Sequence, residues 1–192
     1  MTFRKKLIYM SAVALISTSV FAITPEEHKA AKAQISADYK AAKTHCSSLK
    51  SNAKDVCEKE AKGREKVAGA ELDYRVEASE RNRHKLATAK ADASYEVAKE
   101  KCDDLSGNAK DVCVKDAKAA HVRDIEAAKV SEARHEKNVA PEVKAADVSD
   151  AKKEAAQKVR EADYKAAVER CDSLAGAAKD TCVANAKRTY GM

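Results

Sequence analysis

The chain has 192 residues, with 37 Lys and Arg against 31 Asp and Glu, 35% charged side chains and 4% aromatic ones. So few aromatics, with no Trp and both Phe at positions 3 and 21, exclude a large hydrophobic core and a deep apolar pocket. Without Arg4, Lys5 and Lys6, 34 cations face 31 acids, a balance that lacks the strong basic field of a general nucleic-acid binder.

Those three cations precede an apolar run, Leu7 to Ala22, that ends in Thr18-Ser19-Val20-Phe21-Ala22. Small residues stand where a signal peptidase reads, so residues 1–22 are expected to be a secretory signal cleaved after Ala22. The alternative, a retained anchor, needs roughly 17 to 25 apolar residues, a length this run only approaches. No cysteine stands at the cleavage point, which argues against a lipid-anchored form. Export places the remaining chain in the periplasm or beyond, free of a stable membrane span. Disulfides persist there.

From Ile23 onward large aliphatic residues are sparse, and Ala, Lys and Glu take their place. All three favour helix. Acid–base pairs recur four residues apart, as in Glu58 with Lys62 and Glu161 with Lys165, a pattern that supports solvated helix faces.

Three times the chain repeats the unit Y-x2-A-x3-C-x2-L-x3-A-K-D-x-C-x3-A-K, from Tyr39 to Lys62, Tyr95 to Lys118 and Tyr164 to Lys187. It holds all six cysteines, paired at ten-residue spacing: Cys46 with Cys57, Cys102 with Cys113 and Cys171 with Cys182. The first arm of each unit places Tyr, Ala, Cys and Leu at steps of three and four, as in Tyr95, Ala98, Cys102 and Leu105, one stripe of a helix. The second arm places Ala, Cys and Ala at steps of four, as in Ala109, Cys113 and Ala117.

Between the arms, Gly107 suits a left-handed residue and Asn108 suits a cap for the returning helix, with Asp111 in its first turn. The first unit offers Ser51 or Asn52 with Asp55 but no glycine. The third keeps Gly176 and Asp180 but has Ala177 at the cap position. On a straight helix, cysteines eleven positions apart lie about 16 Å apart, far beyond the roughly 4.4–6.8 Å between Cα atoms that a disulfide spans. A bond within one helix is therefore excluded. Two arrangements remain: an αα-hairpin stapled within each unit, and a long helix whose aligned cysteines cross-link to a second chain. The turn signals favour the hairpin.

The plan that follows is all-α: a signal at 1–22 and hairpins over 23–80, 81–140 and 141–192, built of long Ala/Lys/Glu-rich helices and elongated or coiled-coil-like. Breaks are expected near the polar stretch 79–85 and near 139–148. Pro141 ends one helix, and Asp147 or Ser149 caps the next. Whether the three hairpins pack on one another stays open.

Little in the sequence suggests other chemistry. His28, His45, His84, His121 and His135 do not cluster at zinc-ligand spacing and read as solvated surface residues, so no metal or other cofactor is expected. There is no C-x-x-C, no glycine-rich loop and no nucleophile motif, which points away from an enzyme. Tyr39, Tyr95 and Tyr164, each seven residues before a cysteine, read as hairpin core. Arg81, Arg83, His84 and Lys85 read as a solvated linker or, alternatively, as a weak polyanion contact.

The units, with the phrase C-x2-L-x-G-x-A-K-D-x-C at Cys102 and Cys171, resemble Ala/Lys-rich exported proteins of Gram-negative, especially betaproteobacterial, bacteria that are often labelled TolA-like. The likeness to TolA itself is to its Ala/Lys/Glu-rich helical segment. The paired-cysteine hairpin also looks like the mitochondrial twin C-x9-C fold, which differs in spacing and in having two staples per hairpin. The resemblance implies a cell-envelope protein. Together these readings predict a non-enzymatic periplasmic structural or interaction module with a protein or envelope component as partner. The alternative is a stress-protection protein that binds cell wall or lipopolysaccharide.

Overall fold

The computed structural model describes residues 23–192; the expected signal peptide, residues 1–22, lies outside the described residues. Within them the fold is all-α, with helices α1 (Pro25–Cys46), α2 (Ser51–Val76), α3 (Glu80–Lys101), α4 (Gly107–His135), α5 (Pro141–Cys171) and α6 (Gly176–Tyr190). A short 3-10 turn, Cys102–Asp104, ends the outgoing arm of the second hairpin.

Local chemistry sets several of the helix ends. Thr24 and Glu27 form a reciprocal capping box at the start of α1, with Pro25 in its first turn, satisfying two backbone donors at once. α6 ends at Gly191, whose φ of 66° is the left-handed closure that glycine adopts freely. Ser79 caps α3 by accepting from the Asn82 backbone N–H.

Each helix runs antiparallel to the one before it and packs against its chain neighbours: α1 on α2, α2 on α3, and so on to α6. The result is a one-layer row. The three hairpins form a packed series, because the α2/α3 and α4/α5 seams are as extensive as the seams inside the hairpins. Small residues make this possible. Gly63 lies against Ala93 at the α2/α3 crossing, where an added Cβ would stand 2.9 Å from the Ala93 Cβ. Apart from Leu72, the buried apolar residues are alanines and the outgoing-arm cysteines Cys46, Cys102 and Cys171. As in other nearest-neighbour arrays, stability is then close to a sum of hairpin terms and seam terms.

Several expected boundaries move. Residues 79–85 are not a solvated linker: the break is Glu77–Ser79, and the stretch forms the first turns of α3. Asn82 is buried there, donating to the carbonyls of Asp73 and Glu77 at the end of α2. Each carbonyl already accepts one backbone N–H, Asp73 from Glu77 and Glu77 from Ser79, and the inward-facing Asn82 amide fills the second acceptor position of each. The second break is 136–140, with Asn138 at φ 64°. Pro141 begins α5 instead of merely stopping α4, since its missing N–H costs nothing in a first turn. Asp147 and Ser149 therefore lie inside α5 and cap nothing.

Candidate functional site

The repeated turn is the most constrained feature of the chain. The disulfides are Cys46–Cys57, Cys102–Cys113 and Cys171–Cys182, with Cα separations of 5.5, 5.6 and 5.7 Å. No free cysteine remains among the described residues. The outgoing-arm sulfurs are fully buried and their partners half-buried.

All three turns use one backbone solution. The returning helix opens on a left-handed residue: Ser51 at φ 51°, Gly107 at 56° and Gly176 at 53°. The leucine three residues after each outgoing cysteine donates its N–H to that cysteine's carbonyl at 3.0 Å, from Leu49, Leu105 and Leu174 alike. These leucines are not on the helical stripe where their spacing placed them. The outgoing helix ends at or just before the cysteine, and the tight turn carries the side chain outward, leaving Leu105 and Leu174 nearly half exposed. Ion pairs Lys110–Asp103 and Lys179–Asp172, both 2.9 Å, brace the second and third turns. The Asp103 carboxylate raises the Lys110 pKa above the usual lysine value.

The expected role of Asn52 and Asn108 as helix caps is also corrected. Each lies in the first turn of its helix and reaches across a seam, Asn52 Nδ2 to the Glu100 carbonyl at 3.1 Å and Asn108 Nδ2 to the Glu169 carbonyl at 2.9 Å. The same two glutamates take lysines through their carboxylates, Lys59 to Glu100 at 3.6 Å and Lys115 to Glu169 at 3.4 Å. Beside them Glu60 pairs with Lys101 and Asp116 with Arg170. The hydrogen bond that Lys59 Nζ donates to the Glu96 carboxylate is the main reason the Lys59 pKa is raised. One joint is thus built twice, once at α2/α3 and once at α4/α5. At the outer edges the residues change. The α1 positions matching Glu100 and Lys101 are Thr44 and His45, and the α6 positions matching Asn108, Lys115 and Asp116 are Ala177, Ala184 and Asn185. Repeat alignment marks these positions, but only the packing shows that they face a neighbour.

Two of the three repeat tyrosines, all half-buried, meet a ring on the opposite arm. Tyr95 stacks on His121 with centroids 4.7 Å apart, and Tyr164 meets Tyr190 edge-on at 6.5 Å. Two histidines depart from the solvated reading, because both face the α3/α4 seam. His121 Nε2 lies 2.7 Å from Asp92, and His84 Nδ1 lies 3.0 Å from Glu132, within ion-pair range though off the line of a hydrogen bond. Arg83 is drawn to Glu80 at 3.5 Å. Among the described residues no three His, Cys, Asp or Glu side chains come together as a metal-binding group, and no helix is long and apolar enough to cross a membrane.

Comparison with protein-family models, with curated proteins and with solved structures returns no match to this chain.

Proposed function

We propose that the protein is a non-enzymatic periplasmic module of the cell envelope that serves as a rigid spacer and interaction surface. The observation that carries this reading is the threefold turn. Because the helices alternate in direction, all three stapled turns lie at one end of the row, each holding a leucine at the same place. A leucine fixed three times beside a covalent staple, exposed at Leu105 and Leu174 and half-buried at Leu49, suits multivalent docking, where weak contacts add through effective concentration. Neighbouring helix axes lie roughly 8–10 Å apart, which puts successive turns about 16–20 Å apart, a spacing that favours an extended or repetitive partner. The disulfides support an oxidising compartment.

Polyanion binding draws less support, since Arg83 and His84 already face Glu80 and Glu132. Photo-crosslinking from positions 105 and 174 in living cells is the test. A discrete envelope adduct from both positions, lost when both leucines become serine, is the expected result. Adducts formed equally well from a control position such as Lys152, or none from either turn, would overturn the reading.

A further inference from the structure

One face of the α2/α3 pair holds a shallow groove of about 900 Å³. Between its ends the lining is mostly small or apolar, with Val67 and Ala68 on α2 and Ala93, Ser94 and Val97 on α3, and one charged side chain, Arg64 on α2, stands among them. Each end is closed by an ion pair across the seam. Lys101–Glu60 closes one end at 3.5 Å and Lys90–Glu71 the other at 3.0 Å. The closing charges are sorted by helix, with both acids on α2 and both bases on α3, while the remaining groove charge, Arg64, is a base on α2. The corresponding α4/α5 face is built otherwise. There the positions of Val67 and Ser94 are Arg123 and Asp163, an ion pair across the middle of the seam. The α4/α5 seam has an apolar stretch too, but displaced along it, around Ala127, Val130, Ala155 and Val159, so the two seams do not repeat this face at the same height.

We infer that this face docks a second copy of the chain, face to face about a twofold axis running along the groove. That axis lays α2 of one copy over α3 of its partner at the same height. Each acidic end then meets a basic end, Glu60 against Lys101 of the partner subunit and Glu71 against Lys90 of the partner subunit, while the valine-lined centres close on each other. The other in-plane twofold axis, across the groove, sets Glu60 over its fellow acid Glu71 and Lys90 over its fellow base Lys101, and like charges so placed repel. Charge sorting thus selects one isologous arrangement. The result is a four-helix contact of the kind antiparallel helix pairs make.

The contact is small. Eleven residues separate Glu60 from Glu71, about 16 Å of helix rise, and two helices each about 10 Å wide give roughly 330 Å² per partner. A standard interface buries about 800 Å² per partner, so the association is weak and reversible. It does not depend on where the protein works.

Sedimentation equilibrium of the oxidised protein, from about 1 µM to about 1 mM, tests the inference. The expected result is a mass that rises toward twice the monomer with concentration. Glu71→Lys alone and Lys90→Glu alone should each weaken association at least tenfold. An equimolar mixture of the two variants should restore it, because each substituted side chain then meets an opposite charge on its partner. No rearrangement within one chain can produce rescue by mixing. Val67→Asp, with helicity checked by circular dichroism, should abolish dimer formation. A monomer throughout, or variants that associate as the parent does and gain nothing on mixing, would overturn the proposal.

Discussion

The side-chain amide of Asn108 donates to the backbone carbonyl of Glu169 across 2.9 Å, joining residues 61 positions apart in sequence. The equivalent bond runs from Asn52 to Glu100, and the position has become Ala177 where α6 forms the row's edge. A polar side chain is thus kept where a seam needs it and dropped where none exists. Asn108→Ala should lower stability by about 1 kcal/mol, the usual net worth of a hydrogen bond, while the Glu169 carbonyl keeps its bond from the Asp172 N–H. Urea unfolding of this variant and of Ala177→Asn checks it: the second should change nothing beyond a few tenths of a kcal/mol.

Each staple closes a short loop in a chain with little apolar burial. Replacing Cys102 and Cys113 together by Ala should remove on the order of 3 kcal/mol, because the unfolded chain regains the freedom that the loop denied it. Hydrogen exchange should show the loss concentrated in α3 and α4, as expected for an array coupled through nearest neighbours. A uniform loss over all six helices would contradict that picture.

Ser51 occupies the left-handed position that glycine fills in the other two turns. A non-glycine residue there costs about 1–2 kcal/mol, whereas glycine loses more backbone freedom on folding. Ser51→Gly should therefore stabilise the protein by a fraction of that cost. Gly107→Ala should destabilise it, and thermal melting of the two variants should give shifts of opposite sign.

At the α2/α3 crossing, Gly63→Ala brings two competing effects. Alanine gains about 1 kcal/mol of helix propensity, but its Cβ would stand 2.9 Å from the Ala93 Cβ, closer than packed carbons tolerate. The clash should win, since neither methyl can swing away. Adding Ala93→Gly should recover much of the loss, and a double-mutant cycle in urea measures that coupling.

The Glu27 carboxyl is held below its ordinary value of 4.5, first by the hydrogen bond from the Thr24 backbone N–H and then by the Thr24 hydroxyl. A lowered folded-state pKa means the capping box stabilises α1 fully above the unfolded value and loses this contribution as pH falls through the folded one. The protection factors of the Thr24, Glu26, Glu27 and His28 amides should fall over that acidic range in the parent chain. In Glu27→Gln the dependence should disappear. Lys59 titrates with the opposite sign. Its pKa is raised above 10.5, chiefly by Glu96, so the α2/α3 joint holds below that value and weakens as pH rises through the folded pKa.

The hairpins were legible in the sequence because two constraints coincided. Cysteines eleven apart cannot meet along a straight helix, and turn-forming residues lie between them. The registers at Tyr95 and Tyr164 followed from the same stripe. The seams between hairpins were not legible, since they rest on alanine, on Gly63 and on amides that look like caps until a neighbouring helix is in place. Asn82 was misleading for a related reason. A cluster of Arg, Asn and His beside a break reads as solvated, and only the placement of the α2 end beside it shows why one amide turns inward, onto the Asp73 and Glu77 carbonyls. Leu105 and Leu174 fit the helical period, but the helix had already stopped.

The staples lie at one end of the helices, the start of α1 lies toward the other, and α6 stops about halfway along α5, where Tyr190 meets Tyr164. A pull applied between the start of α1 and the end of α6 can peel helices apart only as far as the disulfides, which hold ten residues of each turn out of the extensible length. Oxidised, the chain is a tether with a built-in stop; reduced, it would pay out further under the same force. The compartment's redox state would set its maximum reach.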